Sequence, residues 1–178
     1  MPTGPVIGPD PVCSGTKTYT WTYTDCTGTS AQWVYTYTVS PPTFSLPANG
    51  SSTVPCITDA QVVPSPPAVN NSCGAALTIT GPVIGPDPVC SGTKTYTWTY
   101  TDCTGTTGQW VYTYTISPPT FTLPANGSST VPCIVNAQTV PTPPVVTNTC
   151  GATITPTGPV VAGEPACSGS KTYTSTNT

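Results

Sequence analysis

The sequence predicts an all-β chain of tandem immunoglobulin-like β-sandwich modules stapled by disulfides. Threonine and aromatic residues alternate with period two over long stretches. Proline and glycine punctuate the chain, at 24 and 16 of 178 residues, which leaves little material for helices. The whole pattern, four cysteines included, recurs every 77 residues.

The strongest strand is Lys94-Thr95-Tyr96-Thr97-Trp98-Thr99-Tyr100-Thr101, which puts Tyr96, Trp98 and Tyr100 on one face and threonines on the other. Gln109-Trp110-Val111-Tyr112-Thr113-Tyr114-Thr115-Ile116 repeats the arrangement. The turn-rich Asp102-Cys103-Thr104-Gly105-Thr106-Thr107-Gly108 between them makes the two strands an antiparallel hairpin. Their rings need a cover, and candidates for a second sheet are residues 43–46 (or 120–123), 52–56, 61–63 and 75–79. Several short strands in under 80 residues point to a sandwich too small to be held by its core alone.

Thr3-Gly4-Pro5-Val6-Ile7-Gly8-Pro9-Asp10-Pro11-Val12-Cys13 returns at Thr80 to Cys90, and a looser copy starts at Thr157. Aligned without a gap, residues 3–79 and 80–156 differ at 14 of 77 positions, so the unit is one small globular module rather than a solenoid coil. Ser40-Pro41-Pro42 and Ser117-Pro118-Pro119 read as stiff connectors. They divide the chain into 1–40, the back part of a module; 41–117, a complete module; and 118–178, the front part of another. In the last strand Ser175 and Asn177 replace the Trp98 and Tyr100 of the previous copy, which predicts a frayed end.

Nine cysteines without a Cys-x-x-Cys pair read as a disulfide framework, hence as an exported chain. Cys90 and Cys103 flank a strand roughly 26 Å long, while a disulfide needs Cα atoms within about 7 Å, so they cannot bond to each other. If the chain from Cys73 to Cys90 also crosses the module, the pairs become Cys56–Cys90 and Cys73–Cys103, each worth on the order of 3–4 kcal/mol. The same rule predicts Cys133–Cys167 and leaves Cys13, Cys26 and Cys150 with partners outside this segment.

The run Cys-Ser-Gly-Thr-Lys-Thr-Tyr-Thr-Trp-Thr-Tyr-Thr-Asp-Cys-Thr-Gly, with Gln-Trp-Val-Tyr-Thr-Tyr-Thr after it and Val-Pro-Cys and Asn-Thr-Cys-Gly upstream, resembles the four-cysteine HYR-like (hyalin-repeat-like) modules of large secreted surface proteins of gliding Bacteroidota-type bacteria. The resemblance spans the complete repeat and both partial ones. It implies an immunoglobulin-like fold, secretion and tandem arrays serving adhesion or surface fibres, with no catalytic residues to carry over.

Charge narrows the function classes. Three Lys and six acidic residues give a net charge of −3, and His is absent. Nucleic-acid binding needs a cationic surface, and His-based catalysis or His-ligated metal is impossible. The prolines interrupt every apolar run before it reaches membrane-spanning length, and Met1-Pro2-Thr3-Gly4-Pro5 is not a signal sequence. Lys17, Lys94 and Lys171 are one repeated position, read as strand-entry lysines that keep an edge soluble rather than as isopeptide donors. Asp25 and Asp102 read as turn caps, and Asp10 and Asp87 as turn residues rather than calcium ligands. The threonine faces read as outward polar surface rather than as an ice-binding array. Asn49-Gly50-Ser51, Asn126-Gly127-Ser128 and Asn70-Asn71-Ser72 match the N-glycosylation triplet, although Asn-Gly is more often a turn.

No nucleophile–base pair and no carboxylate dyad is visible, so the expectation is a non-catalytic chain without cofactor. It is an extracellular, cell-surface stalk or fibre whose partners are neighbouring copies of the repeat. The alternative is a carbohydrate-binding module that meets surface glycans through Trp98 and Trp110.

Overall fold

The computed structural model describes residues 2–166 and 168–177. The described chain is all-β, with two short 3-10 turns, Asp59–Gln61 and Ile134–Ala137, and no α-helix. It forms tandem immunoglobulin-like modules, as the alternation predicts.

Three strands open it: β1 (Thr3–Ile7), β2 (Gly15–Thr24) and β3 (Ser30–Val39), which pair antiparallel in that order. The β2–β3 hairpin is in full register from Gly15↔Val39 to Thr24↔Ser30, so Trp21 stands opposite Trp33 and Tyr19 opposite Tyr35. The same pattern one period later gives β4 (Gly50–Val54), β5 (Thr78–Ile84), β6 (Gly92–Thr101) and β7 (Thr107–Ile116), in a sheet of order β4-β7-β6-β5. Further along, β8 (Val146–Thr147) pairs with β9 (Thr153–Ile154), and β10 (Pro156–Ala162) with β11 (Thr172–Asn177), each in a two-stranded sheet.

Each Gly-Pro of the repeated Thr-Gly-Pro-Val motif breaks the register of its ladder. In β5 the shift falls between Thr80 and Val83. Gly81 holds φ +114° there, and a Cβ would meet the Thr97 carbonyl oxygen at 2.9 Å, so only glycine fits.

The core is the aromatic face of β6 and β7. Tyr96, Trp98, Tyr100, Trp110, Tyr114 and Ile116 are all buried, and the rings interlock, with Trp98 and Trp110 centroids 5.4 Å apart and Tyr96 and Tyr114 6.0 Å apart in an edge-on arrangement.

Their cover departs from expectation. Of the candidate second-sheet segments, 43–46 is extended chain outside any sheet and residue 61 closes a 3-10 turn. Residues 52–54 belong to β4 and 78–79 to β5, both in the same sheet as the hairpin. The second layer is therefore extended chain held by single bonds to the rings. Trp110 Nε1 donates to the Ala48 carbonyl at 2.9 Å and the Tyr100 hydroxyl to the Pro67 carbonyl at 2.7 Å. A segment rich in proline cannot supply a continuous ladder of N–H donors, so the indole and phenol do the docking instead. In the Pro41-Pro42 stretch Pro42 is buried and Pro41 exposed.

By packing, the chain forms two compact units: Met1–Ser52 with Val63–Pro86 and Lys94–Tyr114, and Thr53–Val62 with Asp87–Thr93 and Thr115–Thr178. Among the described residues each contains one disulfide.

Candidate functional site

The covalent framework is the feature the fold builds most deliberately. In the first unit Cys13 bonds to Cys103, and in the second Cys56 bonds to Cys150. Cys13 thus pairs with the counterpart of Cys26 one period on, and Cys56 with the counterpart of Cys73 one period on. The pairs Cys56–Cys90 and Cys73–Cys103 expected from geometry do not form, and Cys13 and Cys150 find their partners inside the chain.

The reason lies in the turn that carries Cys73. Asn71 Oδ1 accepts from the backbone N–H of Cys73 and of Ala75, both at 3.0 Å. Ser72 then exchanges bonds with Thr43, its N–H donating to the Thr43 carbonyl at 2.8 Å and its Oγ accepting from Thr43 N at 3.0 Å. The turn is tied to the covering segment rather than to the hairpin end. Asn148, Thr149 and Thr120 rebuild it one period later around Cys150, which meets Cys56. Cys26, Cys73, Cys90 and Cys133 are exposed thiols. The predicted Cys133–Cys167 pair lies outside the described residues, because Cys167 is not among them.

The repeated lysine ends the aromatic row rather than a soluble edge. Lys94 is 4 % exposed, with its ammonium 5.7 Å from the Tyr96 ring centre. Lys17 sits 5.8 Å from the Tyr19 ring and pairs with Asp10. Lys171 sits 5.6 Å from the Tyr173 ring, pairs with Glu164 and donates to Gln138 Oε1 at 2.6 Å. The hydrogen bond from Lys171 holds the Glu164 carboxyl below its ordinary range. Asp10 and Glu164, at equivalent positions, are thus lysine partners rather than plain turn residues.

Asp25 and Asp102 cap their hairpin turns. Asp102 Oδ1 accepts from the Thr104 hydroxyl at 2.6 Å, the Thr104 N–H at 2.8 Å and the Thr106 N–H at 2.9 Å. These bonds, the Thr104 hydroxyl first, hold its carboxyl below the usual range, and Thr27 and Thr29 do the same for Asp25. A carboxyl whose folded value is depressed adds stability above its unfolded value, near 4, and loses it as pH falls through the folded one. Asp102→Asn keeps an acceptor oxygen but cannot titrate. Thermal unfolding should therefore show wild type ahead of the variant at pH 7, with the gap closing as pH falls below the carboxylate range.

Asn49-Gly50, read from sequence as a turn, is part of the cover. Asn49 Oδ1 accepts from Val111 N at 2.9 Å, and Gly50 opens β4 against the rings of Tyr112 and Trp110. The signal available was the identical flank Pro-Ala-Asn-Gly-Ser-Ser-Thr in both copies, longer than a turn requires. The two proposed glycan platforms, Trp98 and Trp110, are 3 % and 6 % exposed, so both indoles belong to the core of the middle module. No cluster of three metal-binding side chains occurs among the described residues. No helix there is long and apolar enough to cross a membrane.

An all-β repeat with period-locked cysteines and a buried aromatic row defines a disulfide-stapled repeat module. The sequence matches the family described as HYR-like domain with 4 cysteines over residues 1–39, 44–116 and 121–178, and the chain belongs to that family. Among curated proteins none matches it.

Proposed function

We propose that the chain is a non-catalytic extracellular array, a surface stalk or fibre whose work is reach and durability. The observation that carries this is the staggered pair of disulfides, each binding one repeat to the next. A stabilised enzyme gains nothing from cross-links placed by repeat period, whereas a load-bearing string does. The family, an adhesion-type repeat module, and the disulfides agree with an extracellular place. A surface protein of gliding Bacteroidota-type bacteria is the setting the cysteine and Thr-Tyr-Thr pattern favours. Its division into 1–40, 41–117 and 118–178 follows the repeat, and its partners are further repeats of the same kind.

The test is immunogold labelling of intact producing cells with antibody to the folded chain, compared with permeabilised cells. Label on the outer face, on material projecting from it, is the expected result. Label that appears only after permeabilisation overturns the reading.

A further inference from the structure

The same aromatic sheet occurs twice, once covered and once bare. In the middle module the covering chain meets β6 and β7 at the Ala48 and Pro67 carbonyls, the Asn49 amide and Gly50. On the first sheet, Trp33, Tyr35 and Tyr37 are 52, 45 and 55 % exposed, although their ring contacts match those of the covered copy. β3 is an edge strand, while its counterpart β7 pairs with β4 on that edge.

The missing cover also exists in the chain, tied to β11 and to Lys171 just before it through Ala137 and Gln138 but with its strand-forming stretch unpaired. One period after β4, residues 127–131 have the same sequence and form no strand. A methyl group at Gly127 would meet nothing within 4 Å, whereas at Gly50 a Cβ would stand 2.4 Å from the Tyr112 ring. Ala125, Asn126 and Pro144 keep the identities of Ala48, Asn49 and Pro67. Leu123 and Val145 are exposed.

We infer that a second copy of this chain supplies the cover, its segment 118–147 closing over the bare face of β1–β3 and pairing residues 127–131 with β3. In that register Trp33 Nε1 donates to the Ala125 carbonyl, Val34 N–H to Asn126 Oδ1 and the Tyr23 hydroxyl to the Pro144 carbonyl. The incoming β1 and β2 take the place that β10 and β11 hold. Those two strands are a weak occupant: they form an isolated two-stranded sheet, and β11 has Ser175 and Asn177 where β2 has Trp21 and Tyr23. Strand addition to an open edge then gives a head-to-tail, non-closing contact, which grows a filament.

The thiols supply the second observation. The formed bridges join Cys13 to Cys103 and Cys56 to Cys150. Advanced by one period, the same rule asks Cys90 for a partner equivalent to Cys26, and Cys133 for one equivalent to Cys73. Two copies offset by two periods satisfy both requests together: Cys90 of one meets Cys26 of the next, and Cys133 meets Cys73. Among the described residues those four cysteines are the exposed thiols. Each bond forms by exchange with a small disulfide. One cysteine thiolate attacks it and releases a thiol, and the second thiolate displaces the other half, so two protein thiols are oxidised and one disulfide becomes two thiols.

The inference deepens the array reading and rests on it. Wild-type chains grown in light and heavy nitrogen are mixed, placed in a glutathione redox buffer, sized by light scattering and digested without reduction. A ladder of oligomers with mixed-isotope Cys26–Cys90 and Cys73–Cys133 peptides is expected. Gly127→Val, which meets open space in the single chain, should keep the near-ultraviolet circular dichroism of the buried rings and lower oligomer yield about tenfold or more. A monomer in which Cys26, Cys73, Cys90 and Cys133 all still react with a thiol reagent, bridges between other cysteines, or a Gly127→Val chain that assembles like wild type would each overturn strand exchange. Surface labelling of cells is untouched by any of these results, so the array reading stands or falls separately.

Discussion

Gly50→Ala should cost the middle module about 3 kcal/mol, while the same change at Gly127, in an identical stretch of sequence, should cost less than about 0.5 kcal/mol. At Gly50 the added methyl would lie 2.4 and 2.8 Å from two carbons of the Tyr112 ring and 3.0 Å from Trp110. Neither ring can step aside cheaply. Trp110 is held by its bond to the Ala48 carbonyl, and Tyr112 packs at a tilt against both Trp110 and Tyr114, with centroids 6.0 and 5.1 Å away. At Gly127 nothing lies within reach. Neither glycine holds a positive φ, so the contrast measures packing alone. Denaturant unfolding of the two variants beside wild type checks it. For a domain whose whole stability is about 5–15 kcal/mol, the Gly50 loss is a large share. Equal losses at both sites would mean that the cover over β7 is not the close contact described.

Some of this was legible in the sequence. Period-two alternation of Thr with Tyr and Trp places β2, β3, β6 and β7 to within a residue or two, because a face with three aromatic rings must be buried and strand geometry allows one way to do it. The turn caps Asp25 and Asp102 were readable for the same local reason. The cover was not. Residues 43–48 and 63–69 dock through single carbonyls, and a carbonyl leaves no trace in side-chain pattern. The disulfides were half legible. Strand length forbids Cys90–Cys103, yet it says nothing about whether a cysteine reaches across its own module or into the next. That choice belongs to the turn around Asn71, whose Ser72 bonds to Thr43 across 29 residues of sequence. Likewise Lys94 reads as a soluble strand entry until the tertiary structure sets its stem along Tyr96 and buries it.

Pulling a single oxidised chain by its ends should release about half the length that a reduced chain gives. Fully extended, 178 residues span roughly 600 Å at about 3.4 Å each. With the bridges closed, the shortest covalent path runs from residue 1 to Cys56, across to Cys150 and on to residue 178, about 85 residues or roughly 290 Å. The Cys13–Cys103 bridge offers a second path of nearly the same length, so the load is shared between two covalent routes. The same bridges close loops of 90 and 94 residues, and in the chain-entropy account each removes on the order of 4–5 kcal/mol of freedom from the unfolded state. The loops overlap, so the two contributions do not add in full. Force spectroscopy in oxidising and then reducing buffer tests both consequences: a short contour length that doubles when a thiol reductant is added, with the modules unfolding at lower force afterwards. An oxidised chain that pays out its full length would remove the cross-repeat bridges, and with them the physical ground for calling the chain a tether.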